Sequence, residues 1–138
     1  MPPVRRSTTG WRKAMLSNDT RQAILAFRAE RDWAQFHTVR TLASALVVEA
    51  AELLEIVQWT ADDGLASRVA ERRAEVEAEV ADVAILLAYL VNDLGLDLDA
   101  VVRAKLARNA AKYPVEQARG TSRKYTELGP TGAGRDDR

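Results

Sequence analysis

Two pairs of carboxylates stand at spacings that could do chemistry. Glu49 and Glu52 form one i, i+3 pair, and Glu79 and Asp82 form a second, each inside a stretch with helical periodicity. On a wheel of about 100° per residue, Glu52 lies roughly 60° from Glu49, and Leu42, Leu46, Leu53 and Ile56 all fall within roughly 60° of it. Glu75, Glu79, Ile85, Leu86 and Tyr89 occupy the same arc around Asp82. Both pairs therefore share the apolar stripe of their helix, whereas a solvated pair would sit opposite it. Four ionised carboxylates facing one another away from water repel strongly, and must take up protons or gather a cation. Ligands that are all oxygen imply a hard cation, Mg²⁺ or alternatively Mn²⁺. Glu55, three residues past Glu52, is placed either to orient or deprotonate a water as a general base, or to stand behind the ligands. The competing account has the acids in salt bridges with arginines of neighbouring helices or of another subunit. Glu77 points off the stripe and is expected in water.

Composition narrows the remaining chemistry. The chain has 138 residues, 20 basic and 20 acidic side chains and a formal net charge of zero, which argues against nucleic-acid binding by bulk electrostatics. It has no cysteine, so disulfides, thiolate metal sites and cysteine nucleophiles are excluded. It has one histidine, His37, so neither a His-rich metal site nor the paired Glu-x-x-His pattern of di-iron bundles can form. No apolar run reaches the roughly 18 residues of a membrane span. The basic N-terminus carries no apolar core of signal-peptide length, and a cytoplasmic protein is the expectation.

The elements that must position these acids read as helices. Residues 1–16 are expected to be a flexible arm, 17–128 a single all-α domain, and 129–138 a disordered, glycine-rich tail. Glycine and proline are nearly absent between 17 and 113, and β-branched alternation is missing. The first helix is predicted from an N-cap at Ser17 or Asn18 to about Arg31. A structured loop follows, ending at Thr38 as the next N-cap. The second helix is predicted from Val39 to Gln58, the third from Arg68 to Leu94 with Gly95 as its C′ residue, and the fourth from Asp97 or Leu98 to just before Pro114. Four helices with short connections predict an antiparallel four-helix bundle. The third helix is apolar over much of its circumference, which predicts more than one neighbour and a homo-oligomer.

The segments ERDWAQFH, ALVVEAAELLEIVQW, EVADV and SRKYTEL together resemble the dCTP pyrophosphatase branch of the MazG-like, all-α NTP pyrophosphohydrolase superfamily. That resemblance implies Mg²⁺-dependent cleavage of nucleoside triphosphates to monophosphate and pyrophosphate. It favours dCTP and its 5-modified analogues as substrates, a housecleaning role in the nucleotide pool, and dimers that pair into tetramers. It implies that Glu49, Glu52, Glu79 and Asp82 bind metal. It places Trp33 and His37 in a loop that covers the nucleotide, Trp59 against base or sugar, and Lys105 and Asn109 at phosphates or sugar. Arg123, Lys124 and Tyr125 are then candidates to fold over a neighbouring subunit's site.

Each of these has a plainer reading. An indole stacks well on a base, yet core packing is its commoner role. His37 can bond a ligand or simply brace the Thr38 cap. Lys105 and Asn109, spaced i, i+4, share one face with or without a ligand. The chain also departs from the family: HTVRT follows the loop histidine without the usual proline and asparagine. Val48 stands where a glycine is usual, Leu86 where a tyrosine is, and Ile24 where a histidine is. Base preference therefore stays open, with a broader MazG-like activity on other or damaged nucleotides as the alternative. A non-catalytic helical module binding nucleotide or metal is the reading from a different class.

Overall fold

The computed structural model describes residues 15–128, so most of the expected N-terminal arm and all of the expected tail lie outside the described residues. The described residues are helical with no strand among them, which agrees with the all-α expectation. They fall into two compact units that divide after Gly95. The first contains α1 (Asn18–Glu30), a 3₁₀ turn (Trp33–Phe36), α2 (Val39–Glu55), a second 3₁₀ turn (Asp62–Gly64), α3 (Leu65–Glu71) and α4 (Arg73–Asp93). The second contains α5 (Leu98–Lys112), α6 (Val115–Ala118) and a last 3₁₀ turn (Tyr125–Glu127). No helix among the described residues is long and apolar enough to cross a membrane.

Side-chain caps start three of these helices. Ser17 Oγ accepts from the Thr20 N–H at the head of α1, and Asp97 Oδ1 accepts from the Ala100 N–H at the head of α5. At α2 the cap is reciprocal: the Thr41 N–H donates to Thr38 Oγ1 at 3.1 Å, and the Thr38 N–H donates to Thr41 Oγ1 at 2.8 Å. Threonine thus does the work that glutamate does in the usual capping box. The Thr41 hydroxyl also donates to the Phe36 carbonyl at 2.9 Å, which pins the preceding 3₁₀ turn to the helix. Asp32 opens that turn in the left-handed region at φ 52°, ψ 36°, a conformation aspartate tolerates better than most residues. Gln35 Nε2 donates to both its carbonyl and its carboxylate.

α2 and α4 make the main helix pairing of the first unit. The residues that are buried or half-buried on α2 include Leu42, Leu46, Glu49, Leu53 and Ile56, and on α4 Val76, Glu79, Val83, Leu86 and Leu90. Both sets alternate steps of three and four, the repeat of two helices packed along a seam. Glu49 and Glu79 occupy seam positions where apolar residues would ordinarily stand. The end of α2 lies by the start of α4, so the two run antiparallel: Ile56 and Glu55 share a cleft with Arg72 and Glu75. α1 runs parallel to α4, because Ile24 meets Tyr89 and Arg28 meets Asp93 four residues further on in both helices.

Three boundaries differ from the sequence reading. α2 ends at Glu55 rather than Gln58, because the Leu54 carbonyl accepts from both Val57 and Gln58 and tightens the chain into turns. The loop after α1 is not without helix, since Trp33–Phe36 is a 3₁₀ turn. The expected third helix is broken at Arg72 (φ −106°, ψ 26°) into α3 and α4. Neither glycine nor proline marks that break. Its physical tie is tertiary: Arg68 Nε donates to the Ile56 carbonyl at 2.9 Å and anchors α3 to the end of α2. Gly95 is the C′ residue after α4, at φ 61°. In the second unit, Tyr113 and Tyr125 meet edge-to-face at 5.9 Å, and the Lys112 ammonium lies 4.8 Å from the Tyr125 ring centroid.

Thr38→Ala removes the side-chain acceptor of the α2 cap while keeping the backbone N–H that donates to Thr41, and is expected to lower stability by about 1 kcal/mol. Urea unfolding monitored by circular dichroism checks this, with a lower midpoint and an unchanged slope as the result.

Candidate active site

The α2–α4 seam brings carboxylates from the two helices together. Oxygens of Glu49, Glu79 and Asp82 all lie within 4.8 Å of one another, a spacing that could hold a metal ion. Glu49 and Glu79 are half-buried, and Asp82 is exposed at the edge. Glu52 is outside this trio but close enough to act on Glu49 and Glu79, and it lines the adjoining cleft with Glu55, Glu75, Glu79, Ile56 and Arg72. Glu75 is not part of the cluster: it forms a two-pronged ion pair with Arg72. Glu77 pairs with Arg73 on the exposed side, as its place on the wheel implies.

Salt bridges from neighbouring helices of the described chain do not account for the four acids. Among the described residues, no arginine or lysine pairs with Glu49, Glu52, Glu79 or Asp82. Glu79 Oε2 is buried and has no hydrogen-bond partner among the described residues. A buried carboxylate oxygen without a donor is costly unless a proton or a cation meets it. The titration behaviour has the same origin. Desolvation, followed by the neighbouring Glu52 and Asp82 carboxylates, pushes Glu49 from 4.5 up to about 7. Desolvation and then the Glu52 charge raise Glu79 as well. The donor set is oxygen only and strongly anionic, so a hard divalent cation fits it.

The other candidates are placed as follows. Trp33 is 44% exposed and meets Phe27 edge-on at 5.7 Å, and the Arg31 guanidinium covers the Phe27 ring at 3.7 Å. Trp59 is 90% exposed in the turns after α2. Neither indole is core in this chain. His37 follows the 3₁₀ turn and lies beside Tyr89, with ring centroids 5.2 Å apart. Lys105 and Asn109 lie one turn apart on α5, in the second unit, with Lys105 exposed and Asn109 half-buried. Glu55 is exposed on the rim of the acidic cleft.

Sequence reasoning missed three charged residues. Among the described residues, Arg72 is the one basic side chain lining the acidic cleft. Arg28 and Asp93 form a bidentate pair at 2.8 and 2.7 Å, with Arg28 buried. An available signal was Arg28 lying four residues after Ile24, on the apolar side of α1.

Comparison with known proteins gives one consistent picture. The MazG-like family matches residues 45–128. Human dCTP pyrophosphatase 1 is 43% identical over 121 residues, covering 86% of this chain and 71% of the human one. The bovine dCTP pyrophosphatase 1 is 41% identical over 117 residues, covering 83% and 69%. Among solved structures, a pyrophosphatase from Archaeoglobus fulgidus superposes with a TM-score of 0.65 at 38% identity, over 67% of this chain and 87% of that one.

The raised Glu49 carboxyl sets a pH dependence with a definite sign. A carboxyl that titrates higher in the folded chain favours folding below its ordinary value of 4.5, and that contribution is lost as pH rises through about 7. The chelated protein should therefore melt at progressively lower temperature across this window. A divalent cation should restore the melting temperature above the window and have little effect below it, where protons hold the site. Thermal melts with EDTA and with Mg²⁺ or Mn²⁺ at several pH values measure this, and Glu49→Gln should flatten the difference.

Proposed function

The chain belongs to the MazG-like family, and we infer that it is a divalent-cation-dependent nucleoside triphosphate pyrophosphohydrolase. Its reaction adds water across the α–β phosphoanhydride, giving a nucleoside monophosphate and pyrophosphate with release of a proton. Its preferred substrates are dCTP and 5-modified dCTP, taken from the free nucleotide pool of the cytoplasm in a housecleaning role. The observation that carries this reading is the convergence of Glu49, Glu79 and Asp82 with no basic partner among the described residues. The likeness to dCTP pyrophosphatases supports the choice of base.

The roles follow from placement and chemistry. Glu49, Glu79 and Asp82 hold the cation, Mg²⁺ by preference with Mn²⁺ as a substitute, and Glu52 completes the set from the neighbouring turn. When bound, the cation offsets the charge between a triphosphate and this acidic cleft and stabilises the charge that develops on the phosphate oxygens. Glu55, on the rim of the cleft, orients the attacking water and accepts its proton. Trp33 and Trp59 offer exposed indole faces for stacking on the base. His37 donates to the substrate from the same loop as Trp33. The family resemblance assigns Lys105 and Asn109, one turn apart on α5, to phosphate or sugar.

We also propose that the working form is a homo-oligomer, a dimer or a tetramer. Val47 at 66% exposure, Leu54 at 56% and Val80 at 51% are large apolar side chains left open on α2 and α4. Association of these faces would remove them from water.

The decisive experiment is pyrophosphate release from a panel of dNTPs, 5-methyl-dCTP and NTPs, with Mg²⁺ and with EDTA. Release that requires the cation and is strongest for cytosine deoxynucleotides is expected. Strongest release from another base would keep the chemistry and move the specificity to the altered positions Ile24 and Leu86. Cation-dependent activity absent throughout, from a folded protein, would favour the non-catalytic module. Glu79→Gln should lower kcat/KM by about 10²–10³-fold, the scale on which lost transition-state charge stabilisation is felt.

A further inference from the structure

We propose that Arg28 is a positioning residue for His37: it holds the imidazole as the Nε2–H tautomer, so that Nε2–H is the donor His37 offers to substrate. This rests on the reading above that His37 contacts the nucleotide. Arg28 is held from two sides. Its Nη1 donates to Asp93 Oδ2 at 2.8 Å and its Nη2 to Asp93 Oδ1 at 2.7 Å. The guanidinium also lies 4.6 Å from the centroid of the Tyr89 ring. That ring is itself fixed, because the Tyr89 hydroxyl donates to the Ile24 carbonyl at 3.0 Å. Two helices therefore set the position of one buried cation.

The remaining contact is with His37. Arg28 Nη1 lies 3.4 Å from His37 Nδ1. A guanidinium has no acceptor and stays protonated, so it can only donate here. A nitrogen that accepts carries no proton, and in a neutral imidazole the proton is then on Nε2. Nε2 makes no hydrogen bond among the described residues. The ring cannot drift far from this arrangement. The His37 N–H donates to the Ala34 carbonyl at 3.1 Å, the Thr38 cap follows at once, and Thr41 ties Phe36 to α2. The Tyr89 ring flanks the imidazole at a tilt of 49°.

The chain has a single histidine, so the test reads one imidazole. The full chain labelled with ¹⁵N-histidine is examined by two-bond ¹H–¹⁵N correlation above the pH at which its spectrum stops changing, so that the neutral ring is read. The expected spectrum shows Nδ1 as the bare nitrogen and Nε2 as the protonated one. A spectrum with the proton on Nδ1, or averaged over both nitrogens, overturns the proposal without any variant. Arg28→Gln should lose the preference, because an amide can present either a donor or an acceptor. Arg28→Lys, a donor only, should retain it. An Arg28→Gln spectrum identical to the wild type overturns the assignment to Arg28. In kinetics, Arg28→Gln should raise KM about tenfold with a smaller change in kcat. If His37→Ala leaves KM unchanged while the wild-type spectrum is as expected, the substrate contact is what fails, and the tautomer stands.

Discussion

Everything in the first unit is arranged around one unfavourable juxtaposition: carboxylates from α2 and α4 meet where two helices should meet through hydrocarbon. The seam repeat of α2 and α4 would place apolar side chains at positions 49 and 79, and glutamates stand there. Their mutual repulsion and partial burial cost stability in the chain alone. Leu42, Leu46, Leu53 and Ile56 on one helix, and Val83, Leu86 and Leu90 on the other, hold the helices together despite it. In the proposed enzyme that cost would be the source of affinity: a site that repels itself would attract a divalent cation, and through it an anionic substrate.

The loop between α1 and α2 solves a different problem. It must present aromatic and polar groups without a core of its own. Its entry is turned by left-handed Asp32, its body is a single 3₁₀ turn, and its exit is closed by the paired threonines of the α2 cap. The Arg28–Asp93 pair fastens α1 to α4 directly beneath His37. The pairing of charges from two helices thus does for this loop what burial does for a strand or a helix.

Much of this was legible in the sequence, and the reasons are physical. The acids could be found because a charged residue on an apolar stripe breaks the period that makes a helix amphipathic. Ser17, Thr38, Asp97 and Gly95 could be found because capping depends on chemistry within a few residues. The break at Arg72 was not legible, since its cause is Arg68 bonding to a carbonyl at the end of another helix. The Arg28–Asp93 pair was hidden for the same reason, as its partners lie 65 residues apart. The exposure of Trp33 and Trp59 could not be read either. Tryptophan is commonly buried, and only the packed chain reveals which indoles are left outside.

The small interior has a consequence of its own. Leu42, Ile56 and Tyr89 are the only buried hydrophobic residues among the described residues. A chain that buries so little holds little folding free energy by itself. In the proposed oligomer the deficit is made up between subunits, which makes the folded fraction a matter of mass action. Dilution would then act on this protein as a denaturant. Its melting temperature would depend on how much of it is in the tube, and loss of its neighbours would unfold the loop and the acids together.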